Sequence, residues 1–377
     1  MINVIVFGTG ENAHLINAHL LDGYKINAFI ELEDNYISSS FNSIKVYKES
    51  EYSYCENDYV IVAYNTSINI QRSIEILRNK KVPDDKIIVF NNINHFDYSN
   101  PLYLFQQNAR HYDTLLFGMS HSQNGLIFER FGNNVFPIVS PSCDLFYYKN
   151  ALKILLNSEM NNLKRIVFEL PYYIFNYDLS RQKHYVFNRM QYFESINDYH
   201  NFDNTCFINS FKTANNLFDF QKLINKSFME RNCCLESEKT PKTFIKKILN
   251  HANIAFSIDK VWSNIYQTTI DENTSFFSQI ISLIYEKNPN IEVMVIVMPM
   301  NPIFKFWHSQ KIKNQKKIFY RCLQPFSKLK ICDFFDSRIA SKYFIDYCHL
   351  SFDGKKMMDA LISKNKQQDL YYANKEN

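Results

Sequence analysis

Short apolar runs rich in β-branched residues alternate with helical stretches along most of this 377-residue chain. That alternation constrains the fold most, because strands separated by helices must cross over and therefore pair in parallel. In the first part the strand-like runs are residues 3–8, 25–30, 58–64 and 86–90, with helical stretches at 12–21 and 68–79. A second series follows at 114–117, 135–139, 165–170, 292–298 and 328–333. The first series closes a unit of about 90 residues, which predicts two separate parallel sheets rather than one. The expected class is α/β: a Rossmann-like parallel-sheet domain over 1–95, a connector over 96–112 and a second α/β/α domain over 113–365. Within the second domain, residues 178–261 show no strand series and read as a mostly helical insertion. Residues 366–377 read as a flexible tail.

Composition fits a chain that buries a core, with 46% hydrophobic and 16% aromatic residues. The 42 basic and 38 acidic residues are interspersed, so no nucleic-acid partner is expected. The densest basic stretch, Lys311 to Lys317, fits a solvated helix face, with an acidic substrate or membrane surface as the other reading. The eight cysteines form no C-x-x-C pair and read as reduced thiols. Histidines show no H-x-x-x-H spacing, and Glu11 with His14 lacks a third ligand, so no metal site is expected. The start, MINVIVFGTGENA, has no basic leader and the chain has no apolar run of about 18 residues. The expectation is a cytoplasmic protein with no membrane span.

The first strand runs into Gly8-Thr9-Gly10-Glu11-Asn12-Ala13, a G-x-G-x-x-A turn opening a helix, and the second ends at Glu31. Such a turn lets backbone approach a phosphate at a helix N-terminus, while an acidic residue about 20 positions on takes ribose hydroxyls. Gly8, Gly10 and Glu31 are therefore candidates for holding a nucleotide or nucleotide-sugar. The same glycines equally fit a tight turn that binds nothing. The segment resembles the N-terminal nucleotide- or nucleotide-sugar-binding domains attached to bacterial sugar acyltransferases. Nothing near it suits hydride transfer, so an oxidoreductase fits poorly.

The second series opens with Leu115-Leu116-Phe117-Gly118-Met119-Ser120-His121-Ser122, which sets a serine on a turn directly after a buried strand. A hydroxyl nucleophile needs an imidazole to take its proton and a carboxylate to orient that imidazole. Both occur in Asp346-Tyr347-Cys348-His349-Leu350, with Gly354 beyond. Only seven glycines exist, and Gly8, Gly10, Gly118 and Gly354 all fall in these motifs. Each motif also has a plain reading: Ser120 as a helix cap and Asp346 as a turn residue.

G-x-S followed far downstream by D-x-x-H-L resembles the first and last blocks of the SGNH/GDSL family, in the branch of polysaccharide acyltransferases and DltD-like proteins. The resemblance covers about Thr114 to Lys364. It implies Ser120 as nucleophile, His349 as general base and Asp346 as its partner, with no cofactor required for the chemistry. The family's second-block glycine is absent, with Ser140 and Ser142 at that strand end. The third-block asparagine is also absent, and Glu169-Leu170-Pro171-Tyr172-Tyr173 stands there. The candidate oxyanion or substrate residues are accordingly Ser140, Ser142, Tyr172, Tyr173 and His121. The resemblance implies an acyltransferase or esterase acting, with an acyl donor, on a glycan or nucleotide-sugar in surface polysaccharide synthesis. The other reading is a catalytically degenerate scaffold in glycan assembly.

Overall fold

The computed structural model describes residues 2–10, 12–14, 16, 20, 23–55, 58–64, 66–90, 102, 105–106, 108–139, 141–182, 193, 195–202 and 260–373. The chain divides into two compact units, Met1–Pro101 with Ser180–Cys233, and Leu102–Leu179 with Cys234–Asn377. Most of the segment read as a helical insertion lies outside the described residues.

The first unit holds β1 (Ile2–Phe7), β2 (Tyr24–Glu31), β3 (Ser40–Phe41), β4 (Ile44–Lys48), β5 (Tyr59–Val62), α1 (Ser67–Asn79) and β6 (Ile87–Val89). The strand order is β3-β4-β2-β1-β5-β6. All neighbours are parallel except the β3–β4 edge. Without the short edge strand β3, the order corresponds to 3-2-1-4-5 of a doubly wound nucleotide-binding fold, reversing direction between β1 and β5. The central strands are apolar on both faces because helices cover both sides of such sheets. Val4, Val6, Phe29 and Ile61 sit fully buried with Ala13 and Ile16 from the helical turn after β1.

The second unit holds β7 (Thr114–Gly118), α2 (Ser120–Gly125), β8 (Val135–Val139), α3 (Leu145–Leu156), β9 (Arg165–Glu169) and α4 (Lys260–Ser263). It continues with α5 (Gln267–Lys287), β10 (Glu292–Val297), α6 (Pro302–Trp307), α7 (Ser309–Leu323), β11 (Lys330–Asp333) and α8 (Phe352–Ala373). Its sheet is parallel throughout, in the order β11-β10-β9-β7-β8. Alternation splits each strand between two cores. On one face Leu116, Val167, Met294 and Ile296 pack with Leu126 beyond α2 and with Met358 and Ile362 of α8. On the other, Phe117 stacks on Phe168 at 5.1 Å and meets Tyr148 of α3, while Phe168 meets Phe277 of α5. The result is an α/β/α layer structure. Each fully buried Leu, Val or Phe stabilises it by roughly 1.5–3 kcal/mol. Numbered from β7, this sheet has the order 2-1-3-4-5, whose direction switches between β7 and β9. Ligands of open α/β sheets gather at the carboxyl ends beside such a switch.

Candidate active site

Ser120 follows the carboxyl end of β7, on one side of that switch. Gly118 permits the turn: a Cβ there would lie 1.9 Å from Ser122 Oγ and 3.3 Å from Glu169 Cβ. With no side chain at 118, the chain passes through extended Met119 and folds into α2 at once. Ser120 is the first residue of α2, where backbone N–H groups have no partner within the helix. Asn124 donates to the Ser120 carbonyl at 2.8 Å, closing the turn.

The other two triad candidates come together on the loop before α8. His349 Nε2 lies 2.7 Å from Ser120 Oγ, and His349 Nδ1 lies 2.7 Å from Asp346 Oδ2. The second carboxylate oxygen, Asp346 Oδ1, accepts the backbone N–H of Cys348 at 2.8 Å and of His349 at 2.7 Å. Burial acts to raise the Asp346 pKa. The hydrogen bond and charge of His349 and the two N–H donors outweigh it, and the carboxyl is lowered from 3.8 to about 2. It is ionised at neutral pH and holds the imidazole with its proton on Nδ1, leaving Nε2 to face the serine.

Asn301, fully buried ahead of α6, fixes this loop and was not foreseen from the sequence. Its amide donates to the Asp346 carbonyl at 3.2 Å and its backbone N–H to the Tyr347 carbonyl at 3.0 Å. Its side-chain oxygen accepts from the Ile303 N–H and the Ser341 hydroxyl. Gly354 seats α8 against the same loop, since a Cβ there would meet the Tyr343 carbonyl at 2.2 Å.

Beneath Ser120 lies a second unforeseen residue, Glu169, at the end of β9 and 0% exposed. Its Oε2 accepts the Met119 N–H at 2.9 Å and the Ser122 hydroxyl at 3.0 Å, and its Oε1 lies 3.3 Å from His121 Nδ1. A buried carboxylate needs such partners to persist. The clue in the sequence was a charged residue closing the apolar run Ile166-Val167-Phe168. His121 is thereby held over the site, its ring 5.4 Å from that of His349.

The remaining candidates divide. Tyr173 is half-buried with its hydroxyl 3.8 Å from Met119 Sδ, next to the nucleophile turn. Tyr172 is buried and its hydroxyl donates to Asp333, so it does not serve as the oxyanion donor that the sequence suggested. Its ring instead helps line a small apolar cavity with Pro171, Trp262, Met298 and Phe335, onto which His121 and Glu169 also face. Ser142 adopts a left-handed backbone (φ 62°), and its carbonyl accepts the Tyr177 hydroxyl at 3.2 Å. Ser140 lies outside the described residues.

In the first unit, Gly8 takes a φ of +118°, which only glycine adopts readily, while a Cβ there would make ordinary contact with Tyr64. Gly10 has no left-handed φ and no atom within 4 Å of its would-be Cβ. Glu31 is 3% exposed, and its carboxylate is occupied within the turn. It accepts from Thr9 N–H at 2.9 Å, Thr9 Oγ1 at 2.6 Å, Leu32 N–H at 3.1 Å and the Tyr64 hydroxyl. Glu31 thus ties the glycine turn to the ends of β2 and β5 instead of facing outward to a ribose.

Residues 1–88 match a protein family described as C2185-like, N-terminal. No curated protein matches the chain. Among solved structures, it is similar to a candidate platelet activating factor from Streptococcus pneumonia at 10% identity and a TM-score of 0.38, over 78% of this chain and 98% of that one. Among the described residues, no helix is long and apolar enough to cross a membrane.

Proposed function

We propose that the second unit is a serine acyl hydrolase or acyltransferase of SGNH type that forms an acyl-enzyme at Ser120. The observation that carries this reading is the continuous relay Ser120 Oγ, His349 Nε2, His349 Nδ1, Asp346 Oδ2, with both links at 2.7 Å. His349 takes the hydroxyl proton as Ser120 attacks the acyl carbonyl, then returns it to the leaving oxygen. The oxyanion forms beside the first turn of α2, where the Ser120 N–H and the helix dipole stabilise it. His121, oriented by Glu169, supplies a side-chain donor to the oxyanion. A second acceptor, water or a sugar hydroxyl, is deprotonated by His349 and releases the acyl group.

The acceptor is a glycan or nucleotide-sugar destined for a surface polysaccharide, modified inside the cell. The family resemblance and the nucleotide-type sheet of the first unit support this choice.

A scaffold without chemistry is the second reading, favoured by Glu169 in place of the usual asparagine. Labelling with a fluorophosphonate probe separates the two. Stoichiometric labelling of the native protein, lost in Ser120→Ala and His349→Ala, is expected. Folded native protein that takes no label would leave the scaffold.

A further inference from the structure

Between Glu292 and Asp333 the chain has eight Lys or Arg residues and no acidic one, although basic and acidic residues nearly balance over its whole length. Five of the eight lie on α7: Lys311, Lys313, Lys316, Lys317 and Arg321. Lys316 pairs with Asp336 at 2.9 Å, and Lys311 donates to the Ser263 hydroxyl at 3.1 Å. Lys313 and Lys317 are exposed and make no ion pair with any described residue. Directly ahead of α7, the short helix α6 buries Phe304 but leaves Phe306 77% and Trp307 60% exposed, with their rings 5.9 Å apart. Ile265 and Tyr266, also exposed, follow the Ser263 that Lys311 reaches. A rise of about 1.5 Å per residue sets Lys313 about 6 Å and Lys317 about 12 Å along α7 from its first residue. Exposed rings and unanswered cations therefore share one region of the second unit.

We infer that this region docks on an anionic lipid bilayer, with Phe306 and Trp307 entering at the headgroup level and Lys313 and Lys317 meeting lipid phosphates. Aromatic rings favour the membrane interface, and lysines within about a Debye length of it, roughly 8–10 Å, are drawn to an anionic leaflet. Each half of the patch narrows the occupant. Lysines alone would hold any polyanion, but Phe306 and Trp307 gain only from a partner that also offers apolar depth. A second copy of the chain would set one basic helix against another, which like charges oppose. Phe304 of the same short helix stacks at 4.9 Å on Tyr347, between Asp346 and His349, so docking brings the bilayer to the loop that carries those two residues. The value of that placement for a lipid-borne substrate rests on the proposed acyl chemistry, whereas the docking itself does not.

The test sediments the full chain with vesicles of phosphatidylcholine alone and of an equimolar mixture of phosphatidylcholine and phosphatidylglycerol. The native protein is expected to partition onto the mixed vesicles and not onto the neutral ones. Partition should weaken at least about tenfold in the double variant Phe306→Ser with Trp307→Ser, and likewise in Lys313→Gln with Lys317→Gln. All four positions are on the surface, so both variants should stay folded and label with fluorophosphonate in free solution as the native protein does. The chain has two tryptophans and Trp262 is buried, so a blue shift of fluorescence on adding mixed vesicles reads Trp307 and should be absent from Trp307→Phe. No partition onto mixed vesicles, equal uptake by neutral ones, equal partition of both double variants, or a shift that persists in Trp307→Phe overturns the proposal. A dimer that forms without vesicle binding and is lost in the Phe306 and Trp307 variant gives the surface to a second copy instead. Vesicle binding by a native protein that never labels keeps the docking surface and removes the acyl reading.

Discussion

The Glu169 carboxylate reaches from the end of β9 to the Ser122 hydroxyl at 3.0 Å, in a position with no exposure to solvent. The same oxygen holds the Met119 N–H, so one buried carboxyl group fixes residues on both sides of Ser120. Replacing Glu169 with Ala strands these donors, at a cost of about 1–3 kcal/mol for each buried group left unpaired. Chemical denaturation should show a loss of about 3 kcal/mol or more. Glu169→Gln keeps the volume but turns an amide toward donors. Its labelling by fluorophosphonate should fall further than its stability does, and equal losses would reduce Glu169 to a packing residue.

Asp346 gives a pH signature. Its folded pKa is lowered, so the stability it contributes is present above the unfolded value of 3.8 and disappears as pH falls through about 2. With its side chain 42% exposed, solvent screening limits that contribution to about 1 kcal/mol. The stability difference between native protein and Asp346→Asn should therefore be constant above about pH 5 and shrink towards zero in acid. The same variant should label far more slowly at neutral pH, because Asn no longer holds the imidazole proton on Nδ1.

The two glycines of the first turn should behave differently. Gly8→Ala forces a side chain into a left-handed φ beside Tyr64 and should lower the melting temperature of the first unit. Gly10→Ala meets open space and should leave it unchanged. If Gly10 lets a phosphate approach the backbone, Gly10→Ala will instead weaken nucleotide binding, which calorimetry with UDP reads directly.

Tyr172→Phe removes only the hydroxyl that donates to Asp333. A stability loss of about 1 kcal/mol with the labelling rate preserved is expected. A labelling rate that collapses while stability holds would return this hydroxyl to the chemistry.

The strands were legible as short apolar runs: β1, β2 and β5 to β11 fall within a residue or two of their expected places. β4 was not, because Lys45 and Lys48 interrupt a short run whose alternate residue Val46 alone is deeply buried. Ser120, Asp346 and His349 stand out in the sequence because the serine directly follows a strand and the aspartate and histidine lie three residues apart far downstream. Asn301 and Glu169 do not, since their partners are mostly backbone groups brought close only by the fold. Glu31 was legible as a residue but not in its role. A carboxylate 22 positions after the Thr9 it binds looks the same in sequence whether it faces a ribose or its own turn.

The loop carrying Asp346 and His349 is closed on itself: Ile345 donates to the His349 carbonyl at 2.8 Å, and Phe344 pairs with Leu350. Asp346 and His349 are therefore held together in one closed loop. A shift of this loop leaves their mutual geometry intact and changes a single coordinate, the gap to the serine. A dormant form of the protein would keep its histidine and aspartate paired and simply hold them out of reach.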